Sequence, residues 1–113
     1  MLNRVLMQMR ANRLIATLAR GTVRENSDTV DKLRRIGEPA VAPLIRALHD
    51  PDFVTQREAI RALGHLGSVD ALRPLTALAK EADPDLATEV HRAIARILTK
   101  SERRRPESRE SVQ

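Results

Sequence analysis

Punctuation recurs along this chain about every thirty residues, and that spacing limits the possible folds more than any other feature. Asp50-Pro51-Asp52 returns as Asp83-Pro84-Asp85, 33 residues later. Ala59-Ile60 returns as Ala93-Ile94, and Leu63 as Ile97, at an offset of 34. Leu33-x-x-Ile36-Gly37 reappears as Leu63-x-x-Leu66-Gly67 at an offset of 30, and Pro43-Leu44 as Pro74-Leu75 at 31. Drifting offsets of this kind mean small insertions in the turns around a constant unit. Such a unit cannot bury its apolar face alone and must stack on its neighbours.

Inside the unit the apolar period is helical. Val41, Leu44, Ile45 and Leu48 follow the i, i+3, i+4, i+7 rule for one buried face, as do Ala59, Ile60, Leu63 and Leu66. Leu86, Val90, Ala93, Ile94 and Ile97 form a third stripe, and Leu72, Leu75, Ala79 and Ala82 a smaller one between. Gly37 and Gly67 stand where helices should end, because glycine tolerates the left-handed conformation there. Asp50 and Asp83 are placed to cap the helices that follow, each with proline directly after it. The pattern predicts six helices at about 2–20, 27–36, 39–49, 52–66, 69–82 and 84–99, with connections short enough to force neighbours antiparallel. The expected fold is all-α: a short right-handed α-solenoid of antiparallel helix pairs, about three units long. Phe53 is the only aromatic residue, so the core must be built from Leu, Ile, Val and Ala.

Three segments are expected. Residues 1–26 form an amphipathic helix and linker, 27–99 the repeat domain, and 100–113 a charged, disordered tail with one apolar residue. In the first helix, Met7, Ala11, Leu14, Ile15 and Leu18 make a stripe that would dock on the stack. Leu2, Val5, Leu6 and Met9 lie on the other side. They either fray, cover the open end as a cap, or self-associate as a homo-oligomer contact.

Leu33 to Asp52, with its continuation Arg57-Glu58-Ala59-Ile60-Arg61-Ala62-Leu63-Gly64-His65-Leu66-Gly67, resembles the HEAT-like repeats of the phycobilisome-lyase type. The resemblance covers about 27–99 and implies an armadillo-like curved stack. Helices after the Asp-Pro turns would lie on the convex side and the others on the concave side. Two departures stand out. His91 replaces the arginine that Arg57 supplies after the turn, and the last unit lacks a second helix. HEAT-like iron hydroxylases carry His-Glu dipeptides, which are absent here. A role as an enzyme subunit related to the chromophore lyases would rest on the likeness alone.

Chemistry-bearing constellations are missing. His49, His65 and His91 are far apart on different helices without ligand spacing, and the chain has no cysteine. There is no nucleophile elbow, phosphate-cradling glycine loop or placeable carboxylate pair. Neither a metal, a cofactor nor catalysis is expected. Arg46, with Arg73, Thr76 and Lys80, faces away from the buried stripes, and stacking would line these residues up as a basic strip on the concave surface. The expectation is a protein-interaction scaffold or adaptor whose partner presents an acidic surface or peptide.

The alternative is a polyanion- or nucleic-acid-binding module. Net charge is +5, but it sits at the ends: residues 1–24 carry Arg4, Arg10, Arg13, Arg20 and Arg24 with no acid, while 25–99 are slightly acidic. Arg103, Arg104 and Arg105 are diluted by Glu102, Glu107 and Glu110, and no aromatic platform accompanies them. No apolar run reaches the ~18 residues that cross a bilayer, and arginines interrupt the start where a secretory signal would be apolar. A cytoplasmic protein is expected.

Overall fold

The computed structural model describes residues 2–104, which are helical throughout apart from their turns. Among them are six α-helices: α1 (Leu2–Ala16), α2 (Val23–Ile36), α3 (Val41–Ala47), α4 (Phe53–Leu66), α5 (Leu72–Glu81) and α6 (Pro84–Arg103). Single 3-10 turns at Leu18–Arg20, Glu38–Ala40 and Val69–Ala71 follow α1 and precede α3 and α5. The expected all-α solenoid is what forms.

Local chemistry sets each helix start. Thr22 and Glu25 form a capping box: the Glu25 amide donates to Thr22 Oγ1 at 3.2 Å, and the Thr22 amide to Glu25 Oε1 at 2.8 Å. This starts α2 at Val23, so the expected boundary at 26/27 falls inside a helix. Asp50 was expected to cap α4, but Asp52 does so, accepting from the Thr55 amide at 2.8 Å. Asp50 instead accepts from the Asp52 amide at 2.8 Å and tightens the turn, leaving Pro51 outside the helix. In the next unit Asp83 is itself the cap, at 2.9 Å from the Leu86 amide, and Pro84 is the first helical residue. Each such cap stabilises by about 1 kcal/mol. Gly37 and Gly67 end α2 and α4 with positive φ (80° and 72°), and their amides donate to Leu33 and Leu63.

A shared tether follows two of these caps. Four residues after its cap, Asn26 donates from Nδ2 to the Leu18 carbonyl at 3.1 Å, and Gln56 donates from Nε2 to the Leu48 carbonyl at 2.7 Å. Both bonds reach back eight residues to a fully buried leucine. Ala87 holds the corresponding place after Asp83 and cannot donate.

The helices pair as α1 with α2, α3 with α4, and α5 with α6; α2, α4 and α6 then stack side by side as one layer. The closely packed unit therefore runs from α1, α3 or α5 (the second-type helices), through the Asp or Thr cap, into the α2, α4 or α6 that follows it (the first-type helices). Counted from the Asp-Pro turns, α6 is followed by no second helix among the described residues, and the helix packed against it is the preceding α5. The core runs through Leu18, Leu33, Leu44, Leu48, Ile60, Leu63, Leu75, Val90 and Ile97, all fully buried. Ala11 and Ile15 join it, so α1 belongs to the stack. The expected disorder from residue 100 is corrected in part. α6 continues to Arg103 because Lys100 lays its stem over Gly67 and donates to the His65 carbonyl at 2.8 Å. Residues 105–113 lie outside the described part.

Candidate functional site

On the layer of second-type helices, Arg46 of α3 and Arg73, Thr76 and Lys80 of α5 are all exposed. The spacing 73, 76, 80 puts the last three on one helical face. Matching Pro43-Leu44 to Pro74-Leu75 sets Arg46 in register with Ala77, at the equivalent position of α3. Among the described residues none of these three cations is paired with an acid.

The opposite layer differs. Glu58, buried on α4, takes Arg57 at 3.2 Å and Arg61 at 3.3 Å. Arg61 crosses to α6 and grips Glu89 with both arms, Nε at 3.1 Å and a terminal nitrogen at 2.9 Å, the strong forked geometry. Arg92 approaches Glu89 at 3.7 Å, and the Arg57 guanidinium lies 5.7 Å from the Phe53 ring centre. The hydrogen bonds from Arg61 hold the Glu89 carboxyl below its ordinary range, against its partial burial. Glu89 in turn raises Arg61. A depressed carboxyl adds stability above its unfolded pKa and loses it as pH falls through the folded value. Glu89→Gln should therefore lower stability at neutral pH by up to ~1 kcal/mol, since Arg61 is half-exposed. It should also flatten the pH dependence of urea midpoints in the acid range. An unchanged acid profile would show that the pair contributes nothing. The sequence reading missed this network; Glu58–Arg61 and Glu89–Arg92 were legible as i, i+3 pairs, whereas the α4–α6 bridge was not.

At one edge, where the C-terminal ends of α2, α4 and α6 converge, lies an open groove of about 750 Å³. Arg34, Arg35, Lys100 and Arg104 surround it, with His65 in its wall. His65 is half-buried and touches Arg96 at 2.9 Å. Burial holds its pKa below the ordinary value, reinforced by Arg96, Arg34 and Lys100 and opposed by Asp31. His49 and His91 are exposed elsewhere. Among the described residues no three His, Asp or Glu side chains gather as a metal site would require.

At the start of the chain Leu2, Val5, Leu6 and Met9 are exposed together, as the helical spacing implies. Arg4, on the same helix, pairs with Glu38, which ties α1 to the turn before α3. No described helix is long and apolar enough to cross a membrane.

No significant match to this chain is found among curated proteins or among solved structures. Residues 13–95 match the family model for HEAT repeats, a span from the last turn of α1 into α6. That match, together with capped helix pairs stacked through aliphatic stripes, places the chain in the HEAT-repeat family.

Proposed function

We propose that this protein is a non-catalytic interaction scaffold that receives an acidic partner surface on its layer of second-type helices. One observation carries the reading. Arg46, Arg73 and Lys80 are exposed with no acid partner among the described residues, whereas Arg57, Arg61 and Arg92, on the facing parts of α4 and α6, are paired with Glu58 and Glu89. Unpaired cations gathered on α3 and α5 create a potential that selects acidic partners and speeds their approach. Thr76 sits among them as a neutral hydrogen-bonding group.

The triple reversal Arg46→Glu, Arg73→Glu, Lys80→Glu should weaken capture of an acidic partner at least ~10-fold while leaving helicity unchanged, because all three side chains are on the surface. Undiminished capture would remove this face from consideration. Nucleic acid is the competing occupant, and it would announce itself by affinity that falls steeply with salt. The absence of an exposed aromatic platform beside these cations favours a protein partner.

A further inference from the structure

Cations at helix C-termini often do no more than complement the backbone dipole. In the edge groove Lys100 does this directly, donating to the His65 carbonyl at 2.8 Å, and Arg34 leans on Asp31 at 3.7 Å. Glu38, the other acid at the rim, is occupied by Arg4. That leaves Arg35 and Arg104, both exposed and both without an acid partner among the described residues. Between them the groove is not uniformly polar. Leu66 is half-buried and Val69 is 51% exposed, and both line it beside Val41.

Aliphatic floor and guanidinium walls together are a recognition pattern. A compact dianion such as free phosphate would leave the aliphatic floor uncovered. A nucleic acid strand would want aromatic surfaces, which the groove lacks. An extended peptide with carboxylates on either side of one aliphatic residue uses every part.

We propose that this groove is a second, independent docking site, which takes an acidic peptide segment of a partner protein by pairing its carboxylates with Arg35 and Arg104 and seating an aliphatic side chain on Leu66 and Val69.

His65 provides an internal reporter. Its neighbours Arg34, Arg96 and Lys100 disfavour its protonation, so carboxylates brought into the groove should partly cancel them and raise its pKa. The full chain would be titrated with acetyl-Asp-Glu-Leu-Asp-Glu-amide and followed by NMR. The expected result is shifted amide signals at Gly37, Gly67 and Val69, and an upward move of the His65 titration. Arg35→Glu with Arg104→Glu should weaken the peptide at least ~10-fold with unchanged circular dichroism, and replacing the peptide leucine by serine should weaken it several-fold.

Three results would overturn the proposal. One is the absence of groove shifts at millimolar peptide. Another is equal affinity for the double variant or for the serine peptide. The last is loss of binding only in the Arg46, Arg73 and Lys80 reversal, which would put the peptide on the other face and support the scaffold reading alone. Failure of that reading, conversely, would leave the groove shifts intact.

Discussion

Leu63→Ala should destabilise the protein by about 2–5 kcal/mol, because it empties the centre of the central helix. Leu63 is fully buried on α4, which packs against α2, α3 and α6. The lost methyl groups remove transfer energy, and the surrounding helices cannot collapse fully into the space. Domains of this size are stable by only ~5–15 kcal/mol, so the change consumes a large part of the total. Urea denaturation would show a markedly lower midpoint with a similar slope. The matched control is Leu98→Ala on α6, where the side chain is 53% exposed and the expected loss is within ~0.5 kcal/mol. A loss below ~1 kcal/mol for Leu63→Ala would mean that the aliphatic ladder is not the principal support of the fold.

Gly64→Val should separate α6 from α4. A β-carbon at Gly64 would stand 2.9 Å from Ala93 Cα and 3.0 Å from Ala93 Cβ, closer than packed atoms tolerate. Backbone cannot rotate out of the way as a long side chain can, so the two helices must move apart. Overpacking of this kind costs about 1–3 kcal/mol, and helix-propensity gain over glycine returns only a fraction of it. Separation would also stretch the Arg61–Glu89 bridge, which spans the same helix pair. Hydrogen exchange should show amides from Val90 to Ile97 losing protection first, with α2 and α3 much less affected. Uniform loss across all six helices would instead mean that the stack opens as one unit.

The repeat and its stripes could be read from the chain because their determinants are local. Leu33, Leu63 and Ile97 announce the core by spacing alone, and each is fully buried. The start of α2 was harder to see. Its inward face carries Asn26 and Thr29, both buried, so an apolar count finds only the exposed Val23 before Val30. The Thr22-x-x-Glu25 spelling of a capping box was nonetheless present and would have placed the start correctly. The end of α6 was hidden for a related reason. Lys100 looks like a surface residue, yet its stem covers Gly67 while its ammonium reaches a carbonyl. The exposure of Arg46, Arg73, Thr76 and Lys80 was legible from the stripes they oppose. The edge groove was not, since it is assembled from the ends of three helices separated by about thirty residues each.

The pairing of each second-type helix with the first-type helix directly after it has a kinetic consequence. Nearly all of the principal contacts join stretches that are adjacent, or next but one, along the chain. Closing such short loops costs little entropy, so the search for native partners is brief and folding belongs in the microsecond-to-millisecond range of low-contact-order helical proteins. Asn26 and Gln56 lock the first two hairpins as they close, while the third, with Ala87 in that place, depends on its cap and on α4 as a template. The expected order of assembly then runs from the two tethered hairpins toward α6, which pulsed hydrogen-exchange labelling during refolding would show as late protection of α6 amides.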